Sequence, residues 1–282
     1  MSDKKEITGE CTKISLAGDL GSGKSTVSDI LISALGAEYY STGRIVRDIA
    51  ERRGMSVVEL NRYMETHPEI DKEIDDGLVA LSDSDKLLII DSRLAWHFTR
   101  DTFKVYLSVD TETSALRIMC AKRSGETSSS LEDAVVKTKA RRDSECRRYL
   151  EQYGVDIKDL SNYDLVVDTT YASPEEVAQR IIDGFECRRR EGAFRRAYIC
   201  PERLKYPDTE SDGERVSALC AALELGESIA SPEVVYRDGE FYLVSGLEEA
   251  LAYSLSFSPF VEARLVSRDL PDAEYIEMKN SL

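Results

Sequence analysis

Nothing in this chain narrows its fold more than Gly18-Asp-Leu-Gly-Ser-Gly-Lys-Ser25, which fits the pattern GxxxxGK[ST]. The apolar run Ile14-Ser-Leu-Ala17 precedes it, and a stretch with helical apolar spacing follows. Glycines at these spacings let successive backbone N–H groups converge on phosphate oxygens, and the helix N-terminus adds partial positive charge. Gly18, Gly21, Ser22, Gly23, Lys24, Ser25 and Thr26 are therefore the expected contacts for ATP. Lys24 is expected to neutralise the outer phosphates and Ser25 to hold Mg²⁺. Such a loop needs a strand before it and a helix after it, which implies an α/β fold.

The pattern from 13 to 184 agrees, because short apolar runs alternate with amphipathic stretches. It places strands at 13–17, 38–40, 87–91, 104–109 and 163–168. Helices are expected at 24–35, 45–53, as a pair over 57–81, and at 113–123, 131–153 and 174–190. Several strand runs are continuously apolar, as in a parallel sheet covered on both faces. The run Leu87-Leu-Ile-Ile-Asp91 ends in an aspartate that, beside the glycine loop, suits water-mediated Mg²⁺ binding, with a cap on the next turn as the alternative. Asp19 and Asp110 remain unassigned.

A length of 282 residues exceeds what one core usually spans, so two cores are expected. The proposed division is 1–187, a linker at 188–197 and a small α+β unit at 198–282. A chain ending after Arg190 is then expected to stay soluble unless the two cores share an apolar face. The formal net charge of -16 argues against broad nucleic-acid binding. No apolar run approaches the ~18 residues of a membrane span. The six cysteines lack metal-site spacing, and a reduced cytoplasmic setting is expected.

A phosphotransferase must place a second anion in line with the γ-phosphate, so arginines beyond the loop carry information. Three groups qualify: Ser41-Thr-Gly-Arg-Ile-Val-Arg47, Asp91-Ser-Arg93, and the helical run Arg141-Arg-Asp-Ser-Glu-Cys-Arg-Arg148. In the last, Arg141, Glu145 and Arg148 share one helical face. The polar connector Arg123-Ser-Gly-Glu-Thr-Ser-Ser-Ser130 precedes that helix, and together they are expected to close as a lid that excludes water.

These motifs, together with Tyr153-Gly-Val-Asp-Ile and Asn162-Tyr-Asp-Leu-Val-Val-Asp-Thr169, resemble the cytidylate kinases, in the compact form common in archaea. The resemblance covers about 13–184. It implies a three-layer P-loop fold with a five-stranded parallel sheet of order 2-3-1-4-5, and ATP-dependent phosphorylation of CMP or dCMP. It assigns catalysis to Lys24, Arg93, Arg141 and Arg148, and acceptor binding to Thr42, Gly43, Arg47, Arg93 and Glu145. Glu145 is placed either near the base or as an orienter of the arginines. Arg123, Arg141 and Arg148 would act from the lid, and Ser25 and Asp91 would hold Mg²⁺. Many bacterial members carry an aspartate where this chain has Leu94, and they insert an acceptor subdomain that is absent here.

Beyond 198 the chain shows a helix at 214–225, a hairpin with Asp238-Gly239 at its turn, a helix at 247–254 and a strand at 260–266. This order resembles the ParB/sulfiredoxin-like domain. The stretch after the hairpin is Gly246-Leu-Glu-Glu249, whose acids do not suit a phosphate, so a non-catalytic unit with a possible protein or ligand partner is expected. Two other acceptor readings stand beside CMP: another small molecule, or no turnover and a nucleotide-sensing role.

Overall fold

The computed structural model describes residues 11–64, 66–121, 130–271 and 273–278. Strand β1 (Lys13–Gly18) leads through the glycine loop into α1 (Lys24–Leu35) and then β2 (Glu38–Ser41). Helices α2 (Thr42–Arg52), α3 (Val57–Met64) and α4 (Pro68–Ala80) follow before β3 (Leu88–Asp91). The short α5 (Ala95–Phe98) precedes β4 (Thr102–Ser108), α6 (Thr111–Cys120), α7 (Leu131–Tyr153), β5 (Leu165–Asp168) and α8 (Pro174–Glu191). The strands run β2-β3-β1-β4-β5, every pair parallel, in the order that the sequence resemblance implied.

Two features of α2 and α5 differ from the sequence expectation. Helix α2 begins at Thr42 rather than 45, because the Ser41 hydroxyl accepts from the Arg44 N–H at 3.3 Å and caps it. Helix α5 spans only four residues, below the length at which apolar periodicity is readable.

Buried apolar residues hold helices to both faces. On one, Ile14, Leu16, Val105 and Leu107 pack against Val27 and Leu31 of α1 and Val177, Ile181 and Phe185 of α8. On the other, Ala17, Tyr106 and Val166 pack with Leu94, Trp96 and Tyr163. Helices α2 to α4 form a smaller core of their own through Ile49, Leu60, Met64, Ile70 and Ile74.

The segment 188–197 is not a linker. Arg188, Arg189 and Arg190 form the last turn of α8, where positive charge complements the helix dipole. Gly192, at φ 76°, ends the helix, and Arg196 already belongs to β6 (Arg196–Ile199), which pairs parallel with β5. Ala197 and Ile199 are fully buried, which explains why the chain re-enters the sheet so soon.

From β6 the chain runs through β7 (Leu204–Pro207), α9 (Gly213–Glu224), the hairpin β8 (Glu233–Arg237) and β9 (Glu240–Ser245), α10 (Leu247–Leu255), β10 (Val261–Leu265) and β11 (Tyr275–Glu277). Asp238 and Gly239 both have positive φ at the hairpin turn, at 54° and 91°. Among the described residues all strands join one 11-stranded sheet, β11-β7-β9-β8-β10-β6-β5-β4-β1-β3-β2. The C-terminal elements therefore extend the first sheet. Ile199, Leu204, Val234, Phe241 and Val261 lie in the same apolar cluster as Tyr106 and Val166.

Candidate active site

The register of β1 builds the phosphate loop. Gly18 pairs with Leu107 of β4, and a Cβ at Gly18 would stand 2.4 Å from the Leu107 carbonyl oxygen, so only glycine allows this approach. Gly21 is similarly confined, its φ being 69° and an added Cβ lying 2.7 Å from the Ser114 carbonyl. Gly23 sits at the N-terminus of α1 with φ 80°, which turns the loop into the helix. Lys24 folds back over the loop, donating to the carbonyls of Gly18 at 3.2 Å and Asp19 at 3.0 Å. Burial and the Arg93 charge push its ammonium down to about 7, against Asp91, Asp19 and Glu145. Ser22 is buried, whereas Ser25 and Thr26 are exposed at the start of α1.

Asp91 ends β3 opposite Leu16 of β1. Its Oδ2 accepts from the Tyr39 hydroxyl at 3.1 Å. The exposed Ser25 hydroxyl and this carboxylate are hard oxygen donors that suit Mg²⁺ carried on phosphates and water. No cluster of three or more His, Cys, Asp or Glu that could hold a metal occurs among the described residues, so the protein alone makes no closed cage.

Glu145 organises the arginines. Its Oε2 accepts from Arg93 Nε at 3.1 Å and its Oε1 from Arg141 Nε at 3.4 Å. Burial would raise this carboxyl, but Arg93, Arg141 and Lys24 hold it below the usual range. The Glu145 carboxylate thus bridges two guanidiniums, one after β3 and one on α7. Arg148 donates to the Tyr149 hydroxyl at 3.3 Å and stacks over that ring. Arg123 lies outside the described residues.

Arg93 and Arg148 line one cleft with Thr42, Ser92 and Leu94. Val46 and Met64 of α2 and α3, and Asp71, Ile74, Asp75 and Leu78 of α4, complete its wall together with Tyr149 and Tyr153. Gly43 and Arg47 are exposed and do not line this cleft, whereas Thr42 and Val46 of the same helix do. Trp96 is buried in the core, donating through its indole N–H to the Arg93 carbonyl at 2.9 Å.

Several site residues carried no clear signal in the sequence. Asp19 is buried and accepts from the Tyr106 hydroxyl at 2.9 Å, the Val109 N–H at 3.2 Å and Lys158 Nζ. Arg142 Nε lies 3.5 Å from the same carboxylate, and Arg142 Nη2 is buried with no hydrogen-bond partner among the described residues. Burial would raise the Asp19 carboxyl, yet Lys158 and Arg142 bring it down to about 2. Arg117 of α6 clamps the turn after β5, donating to the Thr169 and Thr170 carbonyls at 2.7 and 3.1 Å and to the Gly21 carbonyl at 3.4 Å. Asp110 is a helix cap, accepting from the N–H groups of Glu112 and Thr113.

Comparison with known proteins gives a consistent result. The model of the cytidylate kinase-like family matches residues 13–171. The cytidylate kinase of Sulfurisphaera tokodaii is 37% identical over 174 residues, which cover 61% of this chain and 93% of that protein. The cytidylate kinase of Thermoplasma volcanium is 38% identical over 175 residues, 61% of this chain and 90% of that protein. An S-adenosylmethionine-dependent nucleotide dehydratase of Lacinutrix mariniflava is 38% identical over 179 residues, 62% of this chain but 36% of that longer protein. With the glycine loop, the parallel sheet and the arginine-lined cleft in place, this chain belongs to the cytidylate kinase-like family and is a kinase-type phosphotransferase.

Proposed function

We propose that this protein transfers the γ-phosphoryl group of ATP to CMP or dCMP, giving CDP or dCDP. The observation that carries the reading is the junction at Arg93, which lines the acceptor cleft while its charge acts on Lys24 of the phosphate loop. An acceptor phosphate held by Arg93 would lie beside the γ-phosphate held by Lys24. Mg²⁺, bound through Ser25 and Asp91, would neutralise charge on the outer phosphates.

Lys24 and the glycine-loop N–H groups bind the donor phosphates, and Arg93 binds the acceptor phosphate. Arg141 and Arg148 supply positive charge as the transferring group becomes a loose, in-line species. Glu145 keeps Arg93 and Arg141 aimed, since a carboxylate bridging two guanidiniums restricts both. No covalent intermediate on the protein is required.

The C-terminal segment fits a non-catalytic role. Its order of helix, hairpin, helix and strand supports the ParB/sulfiredoxin-like reading, and the acids after Gly246 do not suit a phosphate site. Glu249 there is buried and ion-paired with Arg215 at 2.6 Å. A cytoplasmic location accords with a nucleotide substrate and with free cysteines, and no described helix is long and apolar enough to cross a membrane.

The test is ADP release with ATP and Mg²⁺ against CMP, dCMP, UMP, AMP, GMP and no acceptor. Preference for CMP or dCMP is expected. Turnover of none of them overturns the reading.

A further inference from the structure

We propose that Asp71 and Asp75 of α4, facing Arg148 of α7, read the base edge of the acceptor and select a pyrimidine bearing a 4-amino group. This rests on the nucleoside monophosphate reading above and adds the residues that decide between bases.

Helix geometry places the pair. Asp71, Ile74, Asp75 and Leu78 stand at i, i+3, i+4 and i+7 on one face of α4, and all four line the acceptor cleft. Ile74 is 9% exposed and Leu78 1%, so this is the face turned towards the protein. Apolar Val46, Met64 and Leu94 complete a slot suited to a flat ring. Two carboxylates on such a face are costly to desolvate unless something supplies donors.

The protein supplies only some of those donors. Asp75 Oδ2 accepts from the Tyr153 hydroxyl at 2.6 Å, which fixes that side chain. Arg148 and Gln152 oppose the effect of burial on Asp71. Burial raises both carboxyls, and the charge of Asp71 adds to the rise at Asp75. The charges acting on Arg93 are instead Glu145 and Asp91. The cleft thus holds two separate polar groups: one beside Lys24 that suits a phosphate, and one on α4 that offers acceptors.

A base is the part of a nucleotide that can use the second group. Cytosine presents an N4 amino donor beside the N3 and O2 acceptors. An Asp carboxylate would accept from N4, which no acceptor at that position of the ring could replace. Uracil presents O4 as an acceptor towards the same carboxylates, leaving buried acceptors facing one another, which is the arrangement that yields strong rejection. Leu94 gives this slot an apolar wall.

The test uses the full chain and compares kcat/KM for CMP and UMP in wild type, Asp71→Asn, Asp75→Asn and the double variant, with the exposed Glu73→Gln as control. An amide can donate to O4, so the CMP-to-UMP ratio is expected to fall ~10²-fold or more in at least one Asp variant, mainly through KM, and to hold in Glu73→Gln. A second arm needs no variant: the 2-pyrimidinone ribonucleoside monophosphate, which lacks the 4-amino group, should lose a similar factor in wild type. An unchanged ratio in the Asp variants, or wild-type indifference to the missing amino group, overturns the assignment. If wild type phosphorylates neither CMP nor UMP, the acceptor reading itself fails and this inference falls with it. A clear CMP preference that survives both Asp→Asn changes removes only the inference.

Discussion

Arg203 Nη1 lies 3.2 Å from Asp168 Oδ1, and the two side chains are 7% and 0% exposed. The pair joins the C-terminal segment to the last strand of the kinase half. Arg203 also donates to Ser108 Oγ at 3.1 Å and to the Gly239 carbonyl at 2.9 Å, so strand ends and hairpin turn meet at one guanidinium. Arg203→Met would leave the buried Asp168 without its counter-charge, held by the Thr170 N–H and hydroxyl and the Cys200 N–H. The expected cost is ~3–5 kcal/mol in equilibrium denaturation, with Arg203→Lys costing less. A wild-type midpoint in the Met variant would show that the pair contributes nothing.

Truncation after Arg190 follows from the same junction. The apolar cluster shared by Tyr106, Val166, Ile199, Phe241 and Val261 would be cut open. Loss of soluble, cooperatively unfolding protein is expected, read by soluble yield and thermal melts. A stable truncated kinase would mean that the shared cluster is dispensable.

Lys24→Ala should abolish turnover while far-UV circular dichroism stays unchanged. The lysine also sets a pH dependence. Its ammonium sits at about 7 without nucleotide, so above that pH much of it is neutral. Phosphate binding favours the charged form, so ATP binding should take up a proton above about pH 7 and weaken as pH rises further. Calorimetry in buffers of different ionisation enthalpy reads that proton, and its absence in Lys24→Ala assigns it.

Asp19 gives the opposite sign. Its carboxyl is brought from 3.8 to about 2 in the fold, so its contribution is present above the ordinary value and lost as pH falls towards 2. That drop corresponds to about 2–3 kcal/mol at neutral pH, by the usual ~1.4 kcal/mol per tenfold. Asp19→Asn should remove this part of the acid dependence and destabilise the protein by leaving Lys158 and Arg142 without a counter-charge. Urea denaturation at pH 3 and pH 7 compares the two.

Glu145→Gln would keep the shape but remove the charge bridging Arg93 and Arg141. A fall in kcat of ~10²-fold is expected, since small misplacement of charged groups about the transferring phosphate is costly. Steady-state rates at saturating ATP and acceptor check it.

The first half of the fold was readable because its signals are local. Gly18, Gly21 and Gly23 mark a loop that only glycine can build, and the apolar strands ending at Gly18, Asp91 and Asp168 leave little choice of topology. The join at β6 was not readable. Arg195-Arg-Ala-Tyr-Ile looks like a charged connection in sequence, while its pairing with β5 depends on contacts made only in three dimensions. At the site, Glu145, Arg93 and Arg141 were legible as a motif. Asp19, Arg142 and Lys158 were not, because their meaning comes from convergence across 139 positions of sequence. Arg47 is exposed, one position from Val46, which faces the cleft.

The parallel seam between β5 and β6 has a consequence for transplanting this kinase. A sheet that ended at β5 would present unpaired N–H and C=O groups along its last strand, a template for joining other chains. Here that edge is interior, and the open rims of the sheet lie at the distant β2 and β11. A graft of the catalytic half into another protein should therefore carry β6 with it, together with its antiparallel neighbour β10, or bring a substitute strand to cover the exposed rim.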